Sequence, residues 1–342
     1  MHCEQKKHNI TLPAEWASVD FIQLTWPHRN SDWASLIDEV EDCFVRLAEA
    51  IVPYASLLII APRIDEVRDR LSHLDLDRIR FVALESNDTW ARDHGAITRC
   101  VNGEMQRCDF AFNGWGMKFA ADKDNCITRR LYQLGELGDV PYCNHLGFVL
   151  EGGSVESDGV GTLLTTAQCL LSDNRNEHYT RGEVEEYLTD ALGFDRYLWI
   201  ENGYLAGDDT DSHIDTLARF CSEDTIAYVK CDDPSDEHSV ALAAMERELM
   251  AFKKRNGDPY RLVALPMALP VYDDDGRLPA TYANFLIVNG AVIVPTYGTE
   301  YDDVAMGQIQ IAFPEHSIVG VDCSVLITQH GSLHCVTMQY PK

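Results

Sequence analysis

Four short polar clusters interrupt the apolar runs of this chain. They are Trp90-Ala91-Arg92-Asp93-His94-Gly95, Glu151-Gly152-Gly153, Asp208-Asp209-Thr210-Asp211-Ser212-His213-Ile214-Asp215 and His330-Gly331-Ser332-Leu333-His334-Cys335. Between them they supply a thiol, an imidazole and several carboxylates. Cysteine with histidine supports nucleophilic attack with a proton donor for the leaving group. The acids Asp93, Glu151 and Asp215 argue against a neutral amide as substrate, because a nearby carboxylate disfavours the thiolate. A planar cation suits them better. A guanidinium presents paired N–H donors that carboxylates accept in a bidentate manner, and its charge would stabilise a thiolate held between them. Trp90 and Trp115 could add cation–π contact of about 0.5–2 kcal/mol.

The elements that must position these groups alternate between helix and strand. Asn30-Ser31-Asp32 offers N-cap chemistry, and apolar residues from Trp33 to Ile51 keep helical spacing until Pro53. Leu57–Ile60 and Phe81–Leu84 read as buried strands, which makes the chain α/β. Four hairpin-like segments then recur: Ala96–Arg107 about Asn102-Gly103, Val155–Thr165 about Asp158-Gly159, Leu217–Val229 about Glu223-Asp224, and Tyr282–Val294 about Asn289-Gly290. Asn-Gly and Asp-Gly are strong hairpin signals because a type I′ turn needs positive φ at both central residues. The turns lie 56, 65 and 66 residues apart, which fits five units in 342 residues. The fifth unit would join the last strand, Leu333–Met338, to an early one, Asp20–Leu24, and so remove a sheet edge. Each polar cluster directly precedes such a strand, so units arranged about an axis would bring the clusters together.

Composition bounds the partners. With 28 basic and 55 acidic residues the net charge is −27, which repels phosphate backbones and concentrates cations. Nucleic acid is therefore not an expected partner. The polar stretch Met1 to Asn9 has no apolar targeting core, and no apolar run is long enough for a membrane span. Eleven cysteines, an odd number at positions 3, 43, 100, 108, 126, 143, 169, 221, 231, 323 and 335, point to reduced thiols and a cytoplasmic protein. Neither a Cys-x-x-Cys pair nor the His330/His334 spacing supports a metal site, since Gly331 disfavours the helix that would align the two histidines. Asp273-Asp274-Asp275-Gly276 reads as an exposed turn, because the later ligands of a calcium loop are missing.

The motifs taken in order resemble those of the agmatine and bacterial-type peptidylarginine deiminases, a branch of the guanidino-group-modifying superfamily. They are Trp90-x-Arg92-Asp93-x-Gly95, Phe112-Asn113-Gly114-Trp115-Gly116, Leu150-Glu151-Gly152-Gly153, Asn174-Arg175-Asn176, Gly207 to Asp215, and Gly331-Ser332-Leu333-His334-Cys335. The resemblance implies a five-bladed α/β propeller (pentein) with pseudo-fivefold symmetry. It makes residues 1–342 a single catalytic domain whose blades close by pairing of the N- and C-terminal segments. It also implies cofactor-free, metal-independent hydrolysis of a guanidinium to a ureido group and ammonia, in a family for which a homodimer is plausible. Cys335 resembles the nucleophile that forms a thiouronium, and His213 the acid and then the base. Asp93 and Asp215 resemble the guanidinium clamps, Glu151 the residue that orients the histidine, and Trp90 and Trp115 the walls along the substrate's alkyl chain. Ser212 departs from the family's glycine; where that backbone needs positive φ, serine costs about 1 kcal/mol and could tilt His213. His334 is either a supporting group or faces away from its neighbour Cys335.

Agmatine is the substrate these features favour. A free- or peptidyl-arginine enzyme should offer a cation to an α-carboxylate or cover the backbone, whereas Asn113–Met117 offers an aromatic followed only by Lys118. A dication also suits the acidic loop that contains Asp209. The rivals are a citrulline-forming arginine deiminase, an amidinotransferase, a non-catalytic guanidine- or polyamine-binding protein and, most weakly, a papain-like hydrolase. Taken singly, each residue has a plainer reading: Cys335 as core, His213 as an acidic loop, Asp93 in an ion pair with Arg92, Glu151 as a turn cap, the tryptophans as packing. Their joint occurrence is what favours chemistry.

Overall fold

The computed structural model describes residues 9–342 apart from Asp275. Cys3, most of the polar N-terminal stretch and one residue of the acidic turn therefore lie outside the described residues. The strands, in chain order, are β1 (Ile10–Thr11), β2 (Val19–Thr25), β3 (Ser56–Ala61), β4 (Ile79–Ala83), β5 (Ile97–Val101), β6 (Glu104–Ala111) and β7 (Tyr142–Val149). They continue as β8 (Glu156–Ser157), β9 (Thr162–Thr166), β10 (Arg196–Ile200), β11 (Ala218–Ser222), β12 (Thr225–Lys230) and β13 (Arg261–Pro266). The last are β14 (Leu286–Val288), β15 (Ala291–Thr296), β16 (Ser317–Asp322) and β17 (Thr337–Pro341).

They form five sheets built on one plan. An antiparallel pair is followed by a helical crossover to a third strand that runs parallel to the second, as a parallel connection requires. The pairs are β5–β6, β8–β9, β11–β12 and β14–β15, and their parallel third strands are β7, β10, β13 and β16. The crossovers are the helices Ile127–Leu134, Arg181–Leu192, Ser239–Ala251 and Tyr301–Ala312. The fifth sheet joins the chain's two ends: β17 pairs antiparallel with β2, which continues through the helix Ile37–Ile51 into parallel β3. The result is a mixed α/β fold, with helices packed on largely apolar strands such as β9 and β15.

All four expected hairpins are present, but their turns differ. Asn102 and Gly103 have φ of 54° and 91°, and Asn289 and Gly290 have 34° and 85°, as a type I′ turn demands. The Asp158-Gly159 connection is wider. Asp158 has no positive φ; its carboxylate instead accepts from Val160 N and Thr162 N. Glu223-Asp224 is closed by Ser222 and Asp224 hydrogen bonds beside a register shift. Two expected boundaries move. The first helix begins as a 3-10 turn at Asp32–Ser35, and the last strand starts at Thr337 rather than Leu333. His330 has φ 66° and no helix connects it to His334. The acidic turn is exposed, with Gly276 N donating to Asp273 Oδ1 at 3.0 Å. Among the described residues no helix is long and apolar enough to cross a membrane.

Tyr340 ties the closing sheet to the rest of the chain. Its ring stacks on Phe21 at 4.5 Å, and its buried hydroxyl donates to Gln23 Oε1 at 2.7 Å while accepting from Ala96 N at 3.2 Å. Tyr340→Phe leaves two buried polar atoms unpaired, so it should cost about 1–3 kcal/mol. Urea unfolding followed by circular dichroism measures this; a midpoint equal to that of the parent chain refutes it.

Candidate active site

The polar clusters occupy equivalent places, a few residues before the first strand of each antiparallel pair. Asp93 precedes β5, Glu151 precedes β8, His213 and Asp215 precede β11, and Cys335 precedes β17. The equivalent place before β14 holds Asn284, which the sequence reading passed over. Its Oδ1 accepts from Cys335 N and Cys335 Sγ, each at 3.3 Å, and from His334 N at 2.9 Å. The repeat itself was the signal that could have found it.

Asp93, Asp215 and His213 converge on Gly153. A β-carbon built there would stand 2.5 Å from His213 Nδ1, 2.9 Å from Asp93 Oδ1 and 3.2 Å from Asp215 Oδ2. Only glycine leaves these groups their space. Asp93 Oδ1 accepts from Gly153 N at 3.0 Å and lies 3.7 Å from His213 Nδ1, and Asp93 Oδ2 accepts from Trp115 Nε1 at 2.8 Å. Asp215 Oδ2 meets His334 Nδ1 at 2.7 Å. Asp215 Oδ1 and both ring nitrogens of His213 are buried without a hydrogen-bond partner. Buried polar atoms are normally satisfied, which sets this place apart from the rest of the interior.

The charges follow from burial and neighbours. Burial raises the Asp93 carboxyl above its ordinary value, with Asp215 and Glu151 adding to the rise against His213 and the Trp115 N–H. For Asp215 burial acts the same way, but the His334 hydrogen bond and charge, with His213 and Arg219, outweigh it and hold the carboxyl below its ordinary value. Burial opposes a charge on His213, yet Asp93, with Cys169 and Glu151, holds the imidazole well above its usual range. Burial, then Asp215 and Asp93, push the Cys335 thiol well above its usual value. These directions favour the neutral form of the Cys335 thiol and the protonated form of the His213 imidazole.

A cavity opens onto Cys335 and Asp93; His213 and Asp215 are not among its lining residues. Cys335, Asp93, Trp90, Trp115 and Asp209 all line it, together with Asp88, Asp32, Thr210 and His330. Among its described lining residues none is lysine or arginine. Asp88 and Asp209 are each raised to about 6, by burial first and then, for Asp209, by Asp208. Trp90 lies against Gly331, where a β-carbon would stand 2.1 Å from its ring, and is braced by Trp33 and Trp115. Trp115 sits in a left-handed run with Gly114, Gly116 and Met117, at φ 54°. That conformation costs an aromatic residue about 1–2 kcal/mol and is the price of aiming its indole N–H at Asp93.

Two expectations need correction or refinement. Glu151 does not hydrogen-bond His213: both of its oxygens accept from Arg175 Nε, at 2.9 and 3.0 Å, while Arg175 also holds Asp211 and Thr210 O. Glu151 therefore acts on His213 through its field. A Glu151 oxygen, Cys169 Sγ and a His213 nitrogen lie within 4.8 Å of one another, donors of a kind that bind zinc, but the Arg175 guanidinium competes for that carboxylate. Ser212 does have positive φ, 64°, as does Asp211. Three hydrogen bonds hold it: Ser212 N to Asp208 Oδ2 (2.7 Å), Thr166 Oγ1 to Ser212 O (2.7 Å) and Ser212 Oγ to Gln168 (3.2 Å).

Beneath Asp215 lies a network that the sequence did not reveal. His334 Nε2 meets Glu15 Oε1 at 2.8 Å, and Glu15 also pairs with Arg92 at 3.1 Å and with Arg219, which in turn pairs with Glu156. Despite burial, Arg219, His334 and Arg92 hold the Glu15 carboxyl well below its usual range. His334 is thus the link between Asp215 and a buried cluster of opposite charges. An isolated glutamate in a loop carries no motif, so nothing in the sequence could have singled out Glu15.

Comparison with known proteins agrees with this arrangement. The profile of the Porphyromonas-type peptidyl-arginine deiminase family matches residues 11–341. The agmatine deiminase of Pseudomonas syringae pv. tomato is 32% identical over 96% of this chain and 95% of its own length. A C. jejuni agmatine deiminase solved with substrate bound superimposes with a TM-score of 0.91 at 36% identity, covering 98% of both chains. A Porphyromonas gingivalis structure, provisionally named an arginine deiminase, gives 0.94 at 53% identity over 97% of this chain and 98% of its own. With the profile matched almost from end to end and relatives above 30% identity covering the whole length, the chain belongs to the Porphyromonas-type peptidyl-arginine deiminase family, hydrolases of the carbon–nitrogen bonds of amidines.

Proposed function

We propose that this protein hydrolyses agmatine to N-carbamoylputrescine and ammonia. The observation that carries the choice is the cavity wall: Asp32, Asp88, Asp93 and Asp209 line it, and no lysine or arginine does so among the described residues. Lys118, the one cation the sequence offered nearby, is engaged with Asp211 at 2.8 Å and with Asp209 O. Such a wall suits a substrate positive at both ends and offers nothing to an α-carboxylate. On this reading Asp93 and Asp215 grip the guanidinium, Trp90 and Trp115 flank the alkyl chain, and Asp209 with Asp88 meets the terminal ammonium.

The guanidinium's charge offsets Asp93 and Asp215, the two acids that oppose ionisation of Cys335, so the thiol can release its proton to solvent through the cavity as substrate binds. The sulfur attacks the guanidino carbon. His213, held in its protonated form by Asp93, gives a proton to departing ammonia and leaves a thiouronium on Cys335. The neutral imidazole then takes a proton from water, which attacks the same carbon. The C–S bond breaks and the ureido product leaves. The five equivalent sheets and the β17–β2 pairing support a single domain built as a five-bladed propeller. A dimethylarginine dimethylaminohydrolase at 11% identity and a TM-score of 0.52 supports the mixed α/β fold alone. Ten unpaired cysteines among the described residues support a reducing, cytoplasmic setting.

A second reading, arginine deimination to citrulline, is favoured by the family's name and by the Porphyromonas gingivalis relative. A panel of agmatine, free arginine and a peptide ending in arginine, with ammonia and ureido product both measured, separates the two. N-carbamoylputrescine should dominate; citrulline from either arginine substrate, with none from agmatine, reverses the assignment. Cys335→Ser should lower kcat by about a thousandfold or more while agmatine still binds, as read by calorimetry. Turnover within a few-fold of the parent enzyme would remove Cys335 from the chemistry.

Acid should weaken substrate binding first. Below about pH 6 Asp88 and Asp209 take up protons and lose the charge that attracts the ammonium, so KM for agmatine should climb as pH falls through that value. Asp209→Asn should start from a higher KM and climb less steeply. A KM that is level from about pH 5 to 8 in the parent enzyme contradicts the assignment of these two acids.

A further inference from the structure

Outside the cavity's lining, β6 and β7 carry a second pair of thiols. Cys108 and Cys143 are register partners on these parallel strands, and Cys143 packs on the apolar cluster that contains Cys108. Cys108 is wholly buried, whereas Cys143 is partly exposed. Arg99 Nη2 donates to Cys143 Sγ at 3.3 Å, and the thiol can donate to Gln106 Oε1 at 3.1 Å. Arg99 is itself held in place, by both a 3.0 Å and a 2.9 Å hydrogen bond to Gln106 Oε1 and a 2.6 Å one to Ala191 O. A fixed guanidinium against a solvent-reachable sulfur favours a thiolate, and a second thiol opposite it is placed to resolve an oxidised product.

We propose that Cys143 is a hydroperoxide-reactive site, with Cys108 as its resolving partner. The Cys143 thiolate attacks the terminal peroxide oxygen; an S–O bond forms, the O–O bond breaks, and the alcohol or water leaves with a proton. Cys143 is then a sulfenic acid. Cys108 gives up its proton and attacks the Cys143 sulfur; the S–O bond breaks and water leaves as the disulfide forms. Two thiols are oxidised by two electrons in all, and one peroxide is reduced. The neighbouring Cys108 thiol and then Arg99, against burial, bring Cys143 down to about 6, whereas burial, Asp215 and Asp93 hold Cys335 the other way.

Other thiols lack one or another part of this arrangement. Cys43 and Cys323 are both fully buried. Cys126 accepts from Arg129 Nη2 at 3.3 Å but lies in a 3-10 turn with no cysteine paired opposite it in a strand. Cys126 is therefore the internal control.

The test uses the full chain, reduced and then exposed briefly to hydrogen peroxide, blocked with N-ethylmaleimide and analysed by peptide mass spectrometry. The first product should be a Cys108–Cys143 linked peptide, and Cys108→Ser should instead accumulate a Cys143 sulfenic acid that a cyclic 1,3-dione captures. Arg99→Gln should slow alkylation of Cys143 by iodoacetamide about tenfold relative to Cys126 in the same sample. Oxidation of Cys335 or Cys126 before Cys143, or Cys143 oxidation without the Cys108 link in the parent chain, overturns the proposal. The parent-chain result does not depend on whether either variant folds.

Discussion

Several buried carboxylates around one small space repel one another and lose their hydration, and the rest of the site is arranged around that constraint. An unpaired ionised acid in a dry interior is costly enough that it normally takes up a proton. Here the chain supplies partners to each acid and, of their oxygens, leaves Asp215 Oδ1 without one. Glu151 rests on Arg175. Asp215 rests on His334, which rests in turn on Glu15 and its two arginines. Asp93 has only N–H donors, from Trp115 and Gly153, and a histidine at 3.7 Å. The difference in support explains why Asp215 stays below its ordinary value while Asp93 sits above it.

Backbone geometry meets the same need by another route. The candidate site residues come from loops at strand ends, and these loops hold non-glycine residues in left-handed conformations: Trp115, Met117, Asp211, Ser212 and His330. Such conformations cost about 1–3 kcal/mol each and persist only where surrounding bonds over-determine them. At Ser212 the determinants are visible as three hydrogen bonds, so a residue with a β-carbon can stand where the family resemblance led us to expect glycine. At Gly153 no such substitution is open, because the space a β-carbon would fill lies among His213, Asp93 and Asp215.

What could be read in the sequence was what repeats locally. Asn102-Gly103 and Asn289-Gly290 gave turn positions because positive φ is a local demand. The hairpins gave the spacing of the polar clusters. The start of β17 was misplaced because His334 N and Cys335 N are bonded by the Asn284 side chain rather than by a neighbouring strand, a contact across about 50 residues. Arg175 was visible as part of a motif, but its role depends on which acid the fold sets against it. Glu15 and Asn284 act only through distant partners, and apolar periodicity does not register them. Asn284 could still have been found by asking what fills each repeat's equivalent position.

Placement of the few cations carries the argument one step further. In a chain with 28 basic residues against 55 acidic ones, Arg92, Arg175 and Arg219 are buried beneath the site while the cavity wall receives none. The Arg92 guanidinium turns away to Glu15 and Gln339; one facing Asp93 would relieve the repulsion permanently, and it would also fill the place a cationic ligand needs. On the proposed reading the missing charge is the substrate's own. The same two acids that raise the Cys335 thiol are the ones a guanidinium would neutralise, so binding and thiol ionisation are linked. Linkage of this kind is reciprocal: a ligand that favours the thiolate is bound more tightly by the thiolate form. A neutral substrate of the same shape would receive none of that benefit, and it would leave Asp93 and Asp215 facing each other across a space that no cation fills.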